Sequence, residues 1–588
     1  MLKLLNHHQL LLFDRLRECM PFRGSSVCFL VFLAFLITPC VMGQTRPPVI
    51  LVDGGGYNCA SAPQSSNGSF GQLEEKLSAQ GLGVSFFRPC SVTPAPAPIE
   101  TLGQALGQRI ESLRVPQVDL VMYSMGSEIG RSYLAGKQID PGVFKPPSDP
   151  RIRKAVFLAG PHFGDASLGG HRPDVQTLAL LTGTRFLWDL STWNQGTDDL
   201  RQVDAIAVIG NWAGNGDGFP VLTEASIMSF GYPEERTRII PLCHYKGLCD
   251  TGIAYIDSDT HPSWRIINSF LSGTDEWKTV GQKPSQDPVL SKNGGLLLVV
   301  KDASDTFIKV EQVSVTGLSL TKGDVALFNH FIEKGEYTLQ ANAPVAIPSI
   351  TWRPALGGFS VATMKPGPII ARAVPAAGLV DTLSLAPGSF ISIYGTRLGA
   401  GLTTATAVPL PTTLGATTVT VDEKPIALHF AGENQVNAVL PEDASGLMKM
   451  TVKTSEGVHS INVLLEDAVP AIFTVSQTGS GPAAALHAVE GGVVSEANPA
   501  RIGEYVSVFL TGLGATEASG AVQVAKIKPE ATVDGIAATV AWAGRAPGFV
   551  GLDQVNIVIP SGVHTGTSVP LIIKSGKRAS NTTTLAIK

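Results

Sequence analysis

Val118-Asp119-Leu120-Val121-Met122-Tyr123-Ser124-Met125-Gly126-Ser127-Glu128-Ile129-Gly130-Arg131-Ser132-Tyr133-Leu134 decides how this chain is read. The apolar, β-branched run to Met122 has the character of a buried parallel strand, and Ile129, Tyr133 and Leu134 fall on one face of a helix that starts just after Ser124. A serine therefore stands at a tight strand-to-helix turn. That turn presents its hydroxyl at the carboxyl edge of a sheet, facing the positive end of the new helix and its free backbone N–H groups. Ser124-Met125-Gly126 completes the last part of a G-x-S-x-G pattern, with Met122 in the place of the first glycine.

Working outward, the segment from Pro47 alternates short apolar runs with helical stripes, the pattern of an α/β domain with a parallel sheet. Strands are expected near Val49–Val52, Gly83–Phe87, Val118–Met122, Arg153–Leu158, Ala205–Ile209 and Arg238–Leu242. Leu73 and Leu77, then Leu102, Leu106, Ile110 and Leu113, mark helices between them. Asp53-Gly54-Gly55-Gly56 follows the first strand. Glycines there let the backbone turn sharply and aim N–H groups at a substrate, whereas a phosphate loop would need a following G-K-[ST]. Asn215-Gly216-Asp217-Gly218 brings a carboxylate after the fifth strand, and Leu242-Cys243-His244-Tyr245 an imidazole after the sixth. Read as structure alone, Asp217 is an ordinary Asp-Gly turn. His261, before Pro262, is a second candidate for the imidazole, and also suits a helix start.

These motifs together resemble a secreted α/β-hydrolase of the lipase/esterase type, over Pro47 to about Gly281. Pro48-Val49-Ile50-Leu51-Val52-Asp53-Gly54 is similar to that family's P-V-[IV]-L-V-H-G, with Asp53 in place of the histidine. Val118 to Leu134 resembles its V-D-L-V-G-H-S-M-G-G-x-x-x-R-x-Y-L. Ala155 to Gly164 resembles its V-x-L-A-T-P-H-x-G, which makes His162 structural or pocket-lining, and Asp217 to Val221 its D-G-x-V-P. The resemblance implies Ser124 as nucleophile, Asp217 as acid and His244 as base, with His261 the alternative base. It places the oxyanion hole at the N–H groups of Gly55 and Met125, and implies ester hydrolysis through an acyl-enzyme with no metal or organic cofactor. Family caps are inserted where Thr177 to Asn194 stands, so its Leu and Trp residues either line an acyl pocket or pack a helix on the core.

At 588 residues the chain exceeds one hydrophobic core. A net charge of −5 gives no electrostatic case for nucleic acid. Val27 to Ile37 is an apolar run behind Arg23, short of the about 20 residues of a spanning helix and followed by Val41-Met42-Gly43, which predicts an export signal. Secretion, or exposure in the periplasm or at the cell surface, follows. Outside the signal remain Cys59, Cys90, Cys243 and Cys249, an even set with no metal spacing, read as disulfide candidates.

After Trp277 the periodicity changes to strand alternation, with candidate strands Leu296–Lys301, Phe307–Val315, Val325–Phe328 and Gly335–Leu339. Further on, Ala386 to Gly399 recurs as Arg501 to Gly514, and Gln435-Val436-Asn437 recurs as Gln554-Val555-Asn556, so two copies of one β-sandwich are expected. Their openings resemble IPT/TIG immunoglobulin-like modules, which implies spacers or surfaces for cell-surface or polymer contact. The expected organisation is thus multidomain: an N-terminal α/β-hydrolase domain followed by all-β sandwiches. Its parts are a signal peptide over 1–43, with Met20 a second candidate start, a catalytic domain over 44–281, a small sandwich over 282–365, a linker over 366–377, and IPT/TIG-like sandwiches over 378–475 and 476–588. Two functions fit: a serine hydrolase acting on a small-molecule or lipid ester, or a catalytically silent hydrolase scaffold serving as a surface-binding or adhesion protein, to which Met122 and Asp53 point.

Overall fold

The computed structural model describes residues 46–54, 68–93, 95–165, 167–168, 174–212, 214–310, 313–378 and 383–588. The export signal, Gly55 and Cys59 lie outside these residues. The first part of the chain runs β1 (Val49–Val52), α1 (Leu73–Ser78), β2 (Val84–Phe87), α2 (Pro89–Val92), α3 (Ile99–Ser112), β3 (Val118–Tyr123), α4 (Met125–Ala135) and β4 (Ile152–Leu158). It continues through α5 (Val175–Ala179), α6 (Arg185–Thr192), β5 (Asp204–Gly210), β6 (Thr237–Ile240) and α7 (Pro262–Ser272). The six strands form one parallel sheet in the order β2-β1-β3-β4-β5-β6. This is the α/β-hydrolase arrangement expected from the sequence. β6 stops at Ile240, short of the expected Leu242, because the proline at 241 cannot donate to a neighbouring strand.

Apolar residues on β1 and β3 are buried whichever face they point to, so helices must cover both sides. One face, with Ile50, Val52, Leu120 and Met122, packs on α3, α4 and α6. The other, with Val49, Leu51, Val121 and Tyr123, packs on α1 and α7. Asp119 interrupts the apolar run of β3, and Arg153 of β4 bonds both of its carboxylate oxygens. The strand order reverses between β1 and β3, and a crevice at the carboxyl ends beside such a reversal is where open α/β sheets bind ligands.

The C-terminal part is almost all β. Asn293–Val300 pairs in parallel with Phe359–Met364 and antiparallel with Leu327–Glu333, and a second sheet of Ser314–Thr316, Tyr337–Asn342 and Ile350–Trp352 completes a small sandwich. Of the expected strand Phe307–Val315, the described residues keep the strand Ser314–Thr316 and an isolated bridge from Phe307 to Lys301. Leu297, Val299, Phe328 and Phe359 of this sandwich join the apolar cluster of the α/β domain, so the two share a core. The expected linker is also corrected. Ile369–Pro375 is a strand paired with Phe390–Thr396 at the edge of the next sheet. Its apolar run buries one side, and prolines are tolerated at an edge.

The repeated segments fold alike. Phe390–Thr396 pairs with Gln435–Val439, and Tyr505–Thr511 with Asp553–Val558. Within each pair the Gln amide donates to the Asn two residues on, at 2.7 Å from Gln435 to Asn437 and 2.8 Å from Gln554 to Asn556. The first repeat is tied to the α/β domain by Asn194, whose side-chain oxygen accepts from Leu464 N–H, and by Gln195, whose side-chain oxygen accepts from Ala373 N–H at 3.0 Å. Among the described residues no helix is long and apolar enough to cross a membrane.

His459 makes this assembly sensitive to acid. Its Nδ1 accepts from Ile370 N–H at 2.9 Å, and burial, helped by the Lys365 and Lys301 charges and opposed by Asp305, pushes the imidazole down to about 4. The folded protein then binds fewer protons at this site than the unfolded chain, so its contribution is complete above about 6.5 and is lost as pH falls toward 4. Over that window the loss is on the order of 3 kcal/mol. Thermal unfolding should therefore fall steeply between these pH values in the native protein and less steeply in His459→Gln; equal slopes would refute the assignment.

Candidate active site

Ser124 alone makes the turn from β3 to α4, with φ 53° and ψ −130°. Positive φ at a non-glycine residue costs about 1–3 kcal/mol and persists only where neighbours fix it. Here Ser124 N–H donates to Leu158 O at 2.9 Å, and Ser124 O accepts from Ser127 N–H at 2.9 Å. Close approach needs glycine: a Cβ on Gly126 would stand 2.4 Å from Val52 O, and one on Gly54 2.4 Å from Tyr123 O. The first turn of α4 thus rests directly on the end of β1. Met122, where a glycine was expected, is buried, and its Sδ occupies the space that a side chain at Gly130 would take, 2.2 Å from such a Cβ. A glycine in the second turn of the helix makes room for the missing one in the strand.

Two loops at the same sheet edge complete the group. His244 Nε2 lies 2.9 Å from Ser124 Oγ, and His244 Nδ1 lies 2.8 Å from Asp217 Oδ2. Asp217 is 1% exposed and also accepts from Phe219 N–H at 3.1 Å. A Cβ on Gly210, at the end of β5, would stand 2.5 Å from Asp217 Cβ, so the glycine lets the acid loop fold back over the strand. His244 N–H donates to Asp217 O at 2.9 Å, and Tyr123 Oη donates to His244 O at 2.8 Å. Burial, then the Asp217 and Asp53 charges, push the Tyr123 phenol well above its ordinary range, which keeps it a donor. The Cys243–Cys249 disulfide closes the loop that carries His244.

With Nδ1–H directed at Asp217, Nε2 is the free acceptor for the Ser124 hydroxyl. The Met125 N–H, first in α4, has no acceptor within its helix. Ser124, Met125 and His244 line a cleft of about 690 Å³. Asp53 is on its wall and accepts from Ser69 Oγ at 2.8 Å. Asp165 is there too, its carboxyl pushed up by burial against the hydrogen bonds of Ser167.

The structure brings Ser124, Asp217, His244 and Met125 together, whereas His261 caps α7, its Nδ1 accepting from Ser263 N–H at 3.2 Å. Gly55 and Cys59 fall outside the described residues; Cys90 is disulfide-bonded. In the Thr177–Asn194 stretch, Phe186, Leu187, Trp188 and Trp193 pack in the core, and Thr177 and Leu180 reach the cleft. Sequence reading missed the support beneath the turn. Arg131 of α4 is fully buried and bonds Glu128, Asp198 and the His162 carbonyl, while Glu128 also meets His162 Nδ1 at 2.9 Å. Glu224 accepts from Val221 N–H at 3.1 Å at the base of the Asp217 loop, and His330 of the small sandwich lies 3.0 Å from it. The R-x-Y-L end of the opening motif carried a local signal at Arg131, and the Ala155 to Gly164 motif one at His162.

No family model matches the chain, and no curated protein matches it by sequence. Among solved structures, it resembles phospholipase PlaB from Legionella pneumophila at 12% identity and a TM-score of 0.39, over 54% of this chain and 94% of that one. The mature form of the Bacillus licheniformis lipase BlEst2 aligns at 17% identity and a TM-score of 0.25, over 36% of this chain and 88% of that one. The propeptide form of that lipase aligns at 10% identity and a TM-score of 0.28, over 91% and 96%. Likenesses this loose leave function to the residues themselves.

The packing of Met122 against Gly130 is testable by a double-mutant cycle. Gly130→Ala alone should destabilise the protein by about 1–3 kcal/mol through overpacking. In a Met122→Ala background the added methyl has space to fill, so denaturant unfolding should give a coupling of at least about 1 kcal/mol. Additive losses would contradict the contact.

Proposed function

We propose that the protein is an exported serine hydrolase that cleaves carboxylic esters. The continuous hydrogen-bonded path from Ser124 Oγ through His244 to Asp217 carries this reading. In the proposed reaction His244 Nε2 takes the serine proton as Oγ attacks the ester carbonyl carbon. The resulting oxyanion faces the Met125 N–H at the positive end of α4, in the hole that the sequence resemblance assigns to Met125 and Gly55. Asp217 stabilises the imidazolium, which then protonates the departing alcohol and leaves an acyl group on Ser124. Water, deprotonated by the same imidazole, attacks the acyl carbon, and the imidazolium returns that proton to Ser124 Oγ as the acyl–Oγ bond breaks and the carboxylic acid leaves. The apolar Val27 to Ile37 segment and the Cys243–Cys249 disulfide support export. The repeated sandwiches, similar to IPT/TIG modules, serve as spacers or contact surfaces.

Asp53, Asp165 and Lys246 line the cleft beside Met125, Leu168, Leu180 and Phe219, so polar groups and an apolar wall both face the substrate, which suits an ester of short to medium chain. Asp53 is also the observation behind a second reading, the catalytically silent scaffold: a carboxylate beside the hole opposes a developing negative charge.

Hydrolysis of p-nitrophenyl esters separates the two. Ser124→Ala and His244→Ala should each lose about 10³-fold or more in kcat, with His261→Ala near the native rate. Full activity in His244→Ala with loss in His261→Ala would reverse the assignment, and a folded but inactive native protein would favour the scaffold. Across a chain-length series kcat/KM should be highest for butyrate to octanoate; a maximum at palmitate would contradict this fit.

A further inference from the structure

A second cavity, of about 450 Å³, lies away from Ser124 where three parts of the chain meet. α6 supplies Arg185, Trp188 and Asp189, the small sandwich Lys301, Asp305 and Phe307, and the first repeat Lys449 and His459. The proposed reaction uses none of them.

The cavity gathers more positive charge than its carboxylates neutralise. Asp189 is shared between Arg185 Nε at 2.8 Å and the buried Lys137 Nζ at 3.3 Å, and it also accepts from Gly142 N–H at 2.7 Å. Lys137 in turn lies 3.9 Å from Glu100. Asp305 is shared between Lys365 Nζ at 3.1 Å and Lys301 Nζ at 3.5 Å. Among the described residues, the terminal guanidinium nitrogens of Arg185 and the Lys449 ammonium have no carboxylate of their own. Arg185 and Lys301 each sit 4.9 Å from the centre of the Phe307 ring, which holds the two cations within twice that distance of each other. Burial pushes the Lys301 ammonium down against the pull of Asp305, and the charges of Arg185 and Lys449 add to the fall. Burial likewise keeps His459, on the same wall, neutral near pH 7.

We propose that this junction binds a phosphate or sulfate ester carried on a sugar-sized polar body. Arg185 at the start of α6, Lys301 just past the strand Asn293–Val300 and Lys449 on a strand of the first repeat line one cavity from three sides of the chain, which suits an anion with oxygens pointing in several directions better than a flat carboxylate. The volume is several times what the anionic group alone would fill, and the half-buried Phe144 lines it beside the cations. Because the cavity is walled by all three parts, occupancy ties them together and raises the stability of the assembly.

The test uses the full chain, with glucose 6-phosphate, glucose 6-sulfate and glucose as probes at constant ionic strength, read by calorimetric titration and thermal unfolding. At least one of the two esters should bind saturably and raise the unfolding temperature, the pair deciding between phosphate and sulfate, while glucose has no effect. Lys449→Ala, at an exposed position that leaves the fold intact, should weaken binding about tenfold or more. No saturable response to either ester, an equal response to glucose, or undiminished binding in Lys449→Ala overturns the assignment.

Discussion

The structure depends on one strained residue. Ser124 holds positive φ because β3, β4 and the end of β1 leave the chain no other course, and two glycines let α4 settle onto the sheet without a clash. A turn of this kind stores about 1–3 kcal/mol, and the surrounding core must hold it. The supports are extensive. All residues of α4 are buried, and the charged pair among them, Glu128 and Arg131, is met by the buried Asp198 and His162. With the turn fixed, the helix dipole, the Met125 amide and the serine hydroxyl share one cleft wall.

The loops opposite are held separately. Gly210 lets the Asp217 loop fold back over β5, the disulfide closes the loop after β6, and Tyr123 next to the serine fastens the His244 carbonyl. The last contact matters because the residue preceding the turn also restrains the imidazole, so errors in one loop are not free of the other. The small sandwich contributes from outside the α/β domain, since His330 faces Glu224 at the foot of the Asp217 loop. Its Leu297 and Phe359 share the core of the α/β domain, so the C-terminal part is more than a tether.

Much of the α/β sheet is legible in the sequence because buried parallel strands are short apolar runs, and each ends where a glycine, proline or polar loop begins. The order of serine, aspartate and histidine after β3, β5 and β6 is legible for the same reason. The choice between His244 and His261 is less so, because both stand near an element boundary and only the folded loop decides which faces Ser124. Pairings across long separations leave no local period: Met122 with Gly130 is within one motif, but His330 with Glu224 and Asn194 with Leu464 join distant segments. Ile369–Pro375 reads as a linker because its flanking prolines mask a short apolar edge strand. Short strands of the small sandwich such as Ser314–Thr316 and Ile350–Trp352 are harder, since three residues carry few alternations.

The central claim is that Ser124 is an activated nucleophile, and covalent trapping reads it directly. The native protein, treated with a fluorophosphonate and digested, should carry the phosphonyl group on the peptide containing Ser124, with no labelling in Ser124→Ala. An unlabelled Ser124 in well-folded protein, or labelling that persists on another residue in Ser124→Ala, would contradict it.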